Sequence, residues 1–227
     1  MPIAISDTII YEDDHLIAIN KPAGYLAETT KKKGEKTLVD LISNYLSVQT
    51  GKPVNGHAVH RLDRRVSGIL LFSKTQEALD GMIALFKQRK VQKTYWAIVH
   101  EKPEPSEAVL IHWLTRDKVN NITFTHQEVV ENSKKAELSY RIIAQANDYY
   151  LIEVNPRTGR THQIRAQLAA IGCPIVGDYK YGYPRETPRK AIALHAKRLV
   201  FEHPISHEKI DLSIPKPNAQ LWNSFDR

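Results

Sequence analysis

Four segments between residues 108 and 155 have the composition of β-strands and follow one another with little chain between them. They read AVLIHWL (108–114), ITFTH (122–126), AELSYRIIAQ (136–145) and YYLIEVN (149–155). Parallel neighbours in a sheet need a crossover of a dozen or more residues, and these connections are too short for helical crossovers. The sequence therefore predicts an extensive, largely antiparallel sheet.

Further strands and helices are predicted on both sides of this region. Apolar runs predict strands at 15–20, 68–73 and 93–99, and a hairpin built from 197–203 and 209–214. Helical spacing predicts helices at 38–46, 75–90 and 161–172, with a short helix near the C-terminus. The first of these helices opens with a capping box from Thr37 to Asp40, and a basic loop, Lys31 to Lys36, precedes it.

These elements predict the α+β class: a largely antiparallel mixed central sheet flanked by helices and loops. No Gly/Ser-rich linker and no internal repeat divides the 227 residues, and 42% hydrophobic content is enough to fill a core. We expect a single domain over residues 1–227, with at most two lobes.

Cysteine content and apolar run length limit the class of protein. The single cysteine, Cys173, excludes an internal disulfide framework and a cysteine-based zinc cage, and it fits a reducing compartment. The first ten residues lack the features of a signal peptide, and no apolar run approaches the roughly 18 residues that a membrane span needs. We expect a cytoplasmic protein that does not bind membranes.

Positive charge is unevenly distributed along the chain. The net charge is +7, from 32 basic and 25 acidic residues, which favours binding to polyanions. Between Asn155 and Gly177 the sequence has three arginines, Arg157, Arg160 and Arg165, one histidine and no acidic residue. Such a cluster beside a glycine at a helix start suits phosphate oxygens; a solvated basic face is the alternative.

The stretch HAVHRLDRRVSG, His57 to Gly68, places one carboxylate, Asp63, among two histidines and three arginines. A structural salt bridge, a metal site, a nucleic-acid contact and a catalytic acid would each explain it. The HxxH spacing of His57 and His60 argues little for metal, because no cluster of cysteines or carboxylates supplies the remaining ligands. Tyr95, on a strand with apolar residues on both faces, has the pattern of a core side chain.

Five segments, taken in order, resemble the RluA-type RNA pseudouridine synthases. They are Asn20–Gly24 (N-K-P-x-G), His60–Gly68 (H-R-L-D followed by S-G), Lys93–Val99 (K-x-Y-x-A-x-V), Gly159–Arg165 (G-R-T-H-Q-I-R) and Leu194–Pro204 (L-H-A, then L-x-F-x-H-P). The resemblance covers about residues 8 to 215. Because it begins near the N-terminus, it implies no added N-terminal RNA-binding domain of the kind that some relatives carry. Any one segment would be weak, but the ordered set is highly specific.

The resemblance implies the fold of that family, with a basic active-site cleft, and its reaction. The N1–C1′ bond of a uridine within structured ribosomal or transfer RNA is broken, and the uracil is turned and rejoined through C5. No redox change occurs, so neither a metal nor an organic cofactor is expected. RNA is the expected partner of a monomer that needs no protein partner.

The resemblance also implies roles for individual residues. Asp63 would act at C1′ as a nucleophile or assist formation of a glycal, and Arg165 would pair with it, since an adjacent cation favours the ionised carboxylate. Tyr95 would stack on a uracil extruded from its helix, and Arg61 would brace the gap. The remaining residues expected to contact the substrate are Lys21, His60, Leu62, Arg64, Arg157, Arg160, His162 and Ile164, the last in the floor of an apolar pocket.

The sequence departs from the family pattern at two places. Val66 stands where the family usually has threonine, which removes a hydroxyl three residues after Asp63. After Gly24 the chain continues Leu26-Ala27-Glu28 where the family often has a Val-His pair, so substrate contacts there are not transferred.

Two other functions are compatible with parts of the sequence. A glycoside hydrolase also acts at an anomeric carbon, and Asp178 could supply its second carboxylate, although the turn VGDYKYG matches a recurrent, structural turn of the synthases. A non-catalytic RNA-binding or RNA-folding module would account for the basic loops alone. Release of tritium from the uracil C5 of labelled RNA distinguishes the synthase from both.

Overall fold

A computed structural model of the chain describes residues 3–28, 36–185, 187 and 191–226. The basic loop predicted at Lys31–Lys36 lies outside the described residues, apart from Lys36.

Eleven strands are found in this part of the chain, and they include every strand that the sequence predicted. They are β1 (Ile9–Glu12), β2 (Leu16–Lys21), β3 (His57–Ala58), β4 (Ser67–Ser73), β5 (Gln92–Val99), β6 (Glu107–Asp117), β7 (Ile122–His126), β8 (Lys134–Ala146), β9 (Tyr149–Pro156), β10 (Leu194–Glu202) and β11 (Lys209–Ser213). Strands β1 and β3 were not predicted. Both are short and only half-buried, so neither has a clear apolar pattern.

The described residues also form four α-helices and two short 3-10 helices. The α-helices are α1 (Leu38–Thr50), α2 (Gln76–Lys87), α3 (Gln163–Ala170) and α4 (Gln220–Asn223), and the 3-10 helices are Ile5–Thr8 and Tyr179–Tyr181. The predicted capping box is confirmed, because the side chains of Thr37 and Asp40 each bond the other residue's backbone N–H. Helix α1 runs beyond the predicted end, to Thr50, and Gly51 stops it in a left-handed conformation with φ 65°.

Helix α3 is shorter than the predicted segment 161–172. It begins at Gln163 because His162, the residue before it, has a left-handed backbone with φ 54°. All residues from Gln163 to Leu168 are buried, polar ones included. The helix therefore brings polar side chains into the protein interior.

The chain divides into two compact units. The first comprises residues 1–92 and 196–215, and the second comprises residues 93–195 and 216–227.

In the first unit, the buried strand β2 pairs antiparallel with β1 on one side and β4 on the other. The register of β2 and β4 sets Leu16 opposite Ser73 and Lys21 opposite Gly68. The part of β10 in this unit lies beside β4 and forms the predicted hairpin with β11. The core between this sheet and α2 contains apolar side chains of the elements named, among them Leu16, Leu71, Met82 and Phe201.

In the second unit, five strands follow the order β5-β9-β8-β6-β7 with antiparallel pairing throughout. Tyr95 on β5 is opposite Val154 on β9, and Val154 is opposite Tyr140 on β8. Helix α3 packs on β6 and β7, where the amide of Gln167 contacts His112 at 3.1 Å. The predicted α+β class with mostly antiparallel strands is confirmed.

Candidate active site

The carboxylate of Asp63 stands on a loop that leads into the buried strand β4. The side chain is half-buried, and the carbonyl of Asp63 accepts a hydrogen bond from Val66 N–H at 3.0 Å, which closes a turn. Gly68 follows at φ 116°, and a Cβ there would lie 2.4 Å from backbone atoms of Ala196. Only glycine fits between the loop and β10, so the exit of the loop is fixed.

Lys21 holds the Asp63 loop from inside the first unit. Its side chain is fully buried, and Nζ donates to the carbonyls of Pro22, Arg64 and Val66 at 3.1, 3.2 and 2.6 Å. An ammonium has three N–H groups, and these carbonyls take all three. The expected RNA contact of Lys21 is therefore wrong: the residue anchors the loop backbone and does not reach solvent.

Burial also sets the protonation of Lys21. Desolvation lowers its pKa to about 7; the negative charge of Asp63 opposes this fall and the positive charge of Arg64 adds to it. The pKa of Lys21, which anchors the loop, thus depends on the charges of two loop residues, Asp63 and Arg64.

Arg64 ties the same loop to the turn after β2. Gly24 N–H donates to the Arg64 carbonyl at 2.7 Å, and Arg64 Nε donates back to the Gly24 carbonyl at 2.8 Å. The remainder of the Arg64 side chain is exposed, as is Arg61. The two cations flanking Asp63 in the sequence therefore extend toward solvent.

His60 and Leu62 support the loop from within the first unit. Nε2 of His60 accepts a hydrogen bond from Leu71 N–H at 3.1 Å, and its ring lies 5.3 Å from the ring of Phe86. Leu62 is buried. Metal ligation by His57 and His60 has no further support, since among the described residues no group of three potential ligands could hold an ion.

In the second unit, the segment Arg157–Arg160 forms a turn held against β8. The N–H groups of Arg157 and Thr158 both donate to the carbonyl of Glu137, at 2.9 and 3.3 Å. The Gln163 side chain completes the anchor: its Oε1 accepts from Thr158 Oγ1 and Arg160 N–H, and its Nε2 donates to the Glu137 carbonyl. Sequence reasoning missed Gln163; the available signal was its position three residues after the turn.

Arg157 and Arg160 are exposed at this turn. Arg157 pairs with the Glu137 carboxylate at 3.0 Å, and Arg160 Nε donates to the Lys135 carbonyl at 3.3 Å. The cations between Asn155 and Gly177 were expected to be unopposed. That expectation is wrong for the folded chain, because Arg157 pairs with Glu137 on β8 and Arg165 pairs with Asp178 on a later turn.

Arg165 is the buried cation of the second unit. Its Nε and Nη2 donate to Asp178 Oδ2 and Oδ1 at 2.7 and 2.8 Å, with 4% of the Arg165 side chain and none of the Asp178 side chain exposed. The guanidinium carbon lies 4.8 Å from the centre of the Tyr181 ring. Asp178 thus contacts the edge of the guanidinium and Tyr181 contacts its face.

Tyr181 is itself fixed by hydrogen bonds. Its hydroxyl oxygen accepts from Thr123 N–H at 2.9 Å and forms a second hydrogen bond of 2.9 Å with His162 Nδ1. Burial raises the pKa of Tyr181, which keeps the phenol protonated. His162, expected to bind RNA, is buried and shares this network, and Ile164 is also buried. Tyr95 is half-buried on β5.

A family model described as RNA pseudouridylate synthase matches residues 15–170. The chain belongs to the RNA pseudouridylate synthase family. As a member it is an isomerase that converts uridine in RNA to pseudouridine, which decides against the hydrolase and against the non-catalytic RNA-binding module.

Curated relatives agree with the family assignment. The chain is 36% identical to ribosomal large subunit pseudouridine synthase C of Rickettsia felis over 93% of its own length and 68% of that protein. It is 34% identical to the protein of the same name from Vibrio cholerae, over 91% of this chain and 65% of that protein. It is 36% identical to tRNA pseudouridine synthase C of Haemophilus ducreyi, with 96% and 95% covered.

The fold is also that of solved family members. Human RNA pseudouridylate synthase domain containing 4 superposes with a TM-score of 0.78 at 23% identity, covering 96% of this chain and 92% of that one. Within the part of the pseudouridylate synthase that the structure describes, no helix has the length and apolar character needed to cross a bilayer.

Proposed function

We propose that Asp63 carries the isomerisation and that Arg165 is its counter-ion during the reaction. The observation that carries the proposal is the anchoring of the Asp63 loop by Lys21, Arg64 and Gly68 in a chain of this family. A half-buried carboxylate on an immobilised loop is the arrangement that attack on a sugar carbon requires, because the reacting atoms must be held close together.

The reaction moves one negative charge from Asp63 to uracil and back. In the nucleophilic route a carboxylate oxygen bonds to C1′ while the N1–C1′ electron pair goes to N1. In the glycal route the carboxylate accepts the C2′ proton as the same bond breaks. In both routes the turned uracil bonds to C1′ through C5. The carboxylate is restored, in the first route as the ester C1′–O bond breaks and in the second by returning its proton to C2′. The C5 proton is then lost while N1 gains one.

The other expected residues would prepare the nucleotide for this step. A stacked uridine does not expose C1′, so the target must leave its helix. Tyr95 would stack on the extruded uracil over Ile164, and Arg61 would brace the gap. Arg157 and Arg160, on the anchored turn, would hold phosphates, with Arg64 and His60 at the loop.

Ribosomal or transfer RNA is the proposed substrate class. The relatives named above are a large-subunit ribosomal enzyme and a transfer RNA enzyme. We propose a cytoplasmic monomer that acts on one or both of these RNAs. Mapping pseudouridine in cellular RNA with and without the gene identifies the target. If ribosomal and transfer RNA both keep all their pseudouridines without the gene, this substrate proposal is contradicted.

Asp63→Asn tests the catalytic assignment, because it keeps the volume of the side chain and removes its charge. We expect no release of tritium from C5-labelled RNA and an unchanged RNA dissociation constant. Asp14→Asn is the matched control, since Asp14 is an exposed aspartate of the same unit. Normal tritium release by Asp63→Asn would overturn the assignment.

A further inference from the structure

We infer that the turn that ends helix α2, residues 87–90, is a second RNA-binding surface of the first unit, with Arg89 as its phosphate contact. The inference rests on the proposed function, because the RNA in question is the one that carries the target uridine. Sequence reasoning assigned no ligand to this helix or to its end.

Arg89 has a backbone conformation that is unusual for an arginine. Its φ is 60°, in the left-handed region, and the other non-glycine residues found there in the described part of the chain are three asparagines and two histidines. Asparagine and histidine adopt this conformation several-fold more often than most residues that carry a side chain, and arginine does not share that preference. Arg89 is therefore the outlier of the set.

The turn at Arg89 is a helix-ending motif in which glycine is the usual residue. Arg89 N–H donates to the Phe86 carbonyl at 3.1 Å, and Lys90 N–H donates to the Leu85 carbonyl at 2.9 Å. These are the two bonds of a Schellman motif, whose left-handed position is most often glycine because glycine has no Cβ. Helix α1 of the same unit ends in this way at Gly51. An arginine here strains the backbone, which points to a use for its side chain.

The side chains of this turn are exposed cations without acidic partners. All four residues are exposed, and three of them are Lys87, Arg89 and Lys90. No acidic residue occurs between Asp80 and Glu101 in the sequence. Among the described residues, no carboxylate forms an ion pair with any of the three cations. The positive charge of the turn is therefore available to an anionic ligand.

The helix dipole explains only part of this charge. Its negative end stabilises Lys87, which lies in the last turn of α2. It does not explain Arg89, because a cation within the last turn would gain from the dipole without a left-handed backbone. The strained position instead directs a side chain away from the end of the helix, where a ligand can reach it.

The turn is packed next to the loop that carries the proposed catalytic carboxylate. The Phe86 ring lies 5.3 Å from the ring of His60, three residues before Asp63. The Phe86 carbonyl accepts the Arg89 N–H, so one residue joins the loop to the turn. A bound RNA strand that passes the exposed Arg61 is then offered Arg89 as a further cation on a fixed backbone, and phosphates are the groups in RNA that such cations bind.

Arg89→Gly separates RNA binding from protein stability, because it removes the charge and relieves the strain of the backbone. With fluorescein-labelled transfer RNA as the probe, we expect the slope of log affinity against log salt to fall by about 0.7 to 0.9, the contribution of one phosphate contact. The urea midpoint of unfolding should stay unchanged or rise. The variant should also need more enzyme than wild type to half-saturate the single-turnover rate of tritium release.

Two controls match the two changes made by Arg89→Gly. His207→Gly places glycine at another exposed, left-handed residue of the first unit, with φ 59°, and Lys52→Gln removes another exposed cation of that unit. Both should keep the wild-type salt slope. A wild-type slope in Arg89→Gly, or an equal fall in either control, overturns the inference. A lowered urea midpoint in Arg89→Gly also overturns it, because the arginine side chain would then stabilise the fold itself.

The proposed function and this inference can fail separately. Tritium release by Asp63→Asn refutes the catalytic role of Asp63 and leaves the Arg89 surface standing. An inactive Asp63→Asn beside an Arg89→Gly variant with the wild-type salt slope refutes only the Arg89 surface.

Discussion

Nζ of Lys21 lies 2.6 Å from the carbonyl oxygen of Val66, inside the first unit and three residues beyond the proposed catalytic carboxylate. Two further carbonyls accept from the same ammonium. The buried ammonium therefore holds the loop that carries Asp63 through the loop's main chain, while Arg61 and Arg64 of the same loop are exposed.

Lys21→Met should destabilise the protein by about 2 kcal/mol or more, because it leaves buried carbonyls without donors. It should also change the pH dependence of stability. The pKa of Lys21 is about 7 in the folded chain against 10.5 unfolded, so between these values the unfolded chain binds the extra proton. Wild-type stability accordingly gains up to about 1.4 kcal/mol per pH unit over this window, and the penalty of the buried charge is fully present below pH 7.

Urea unfolding of wild type and Lys21→Met from pH 6.5 to 10 measures this contribution as the difference between the two curves. Lys87→Met, at an exposed lysine, should follow the wild-type curve. Parallel curves for wild type and Lys21→Met would show that the buried lysine does not titrate in this range.

Gly68→Ala should cost about 3 kcal/mol or more, since a Cβ would lie 2.4 Å from the Ala196 backbone and φ is 116°. Gly51→Ala is the matched control: its φ is also positive, at 65°, but no atom lies within 4 Å of the added Cβ. That variant should lose only about 1 kcal/mol. Equal losses in the two variants, measured by urea unfolding, would contradict a steric role for the contact with β10.

Arg157→Gln and Arg160→Gln should each weaken RNA binding and reduce the slope of log affinity against log salt by about 0.7 to 0.9, the contribution of one phosphate contact. Binding titrations at several salt concentrations measure this slope. Arg141→Gln is the control, because Arg141 is also exposed and paired with a glutamate, Glu153, at 2.9 Å. A slope that falls equally in Arg141→Gln would indicate general surface charge and not a site at the turn.

Tyr181→Leu should lower the single-turnover rate about tenfold, because it removes the ring from the face of Arg165. Tyr181→Phe keeps the ring and loses only the hydroxyl, so we expect a smaller fall of about threefold. Tyr179→Leu, at an exposed tyrosine two residues earlier, should match wild type. If Tyr181→Phe is the more damaged of the first two variants, the hydroxyl network and not the stacked ring controls the rate.

Much of the fold followed from local patterns in the sequence. Alternating and apolar runs defined the long strands because their side chains pack on one or both faces of a sheet. The start of α1 followed from Thr37 and Asp40, a purely local exchange of hydrogen bonds. The start of α3 was misplaced because the left-handed backbone of His162 has no local signal in the sequence.

The environment of individual charged residues was harder to predict from the sequence than the fold. Lys21 was expected at the surface because lysines usually are, and its buried place follows from carbonyls more than 40 positions away. The acid-free run around Arg165 looked unopposed for the same reason: Asp178 lies 13 residues beyond it. Pairing across such distances is a property of the folded chain and leaves no periodic mark in the sequence.

Lys21 recognises main-chain oxygen atoms and no side chain of the Asp63 loop. Position 66 can therefore change identity during evolution without loosening the hold of Lys21, provided that the backbone keeps its course. Valine at position 66, in place of the threonine usual among relatives, is a substitution of this tolerated kind: its side chain is buried and its carbonyl still meets the ammonium. The backbone geometry of the loop can thus be conserved while its amino-acid sequence changes.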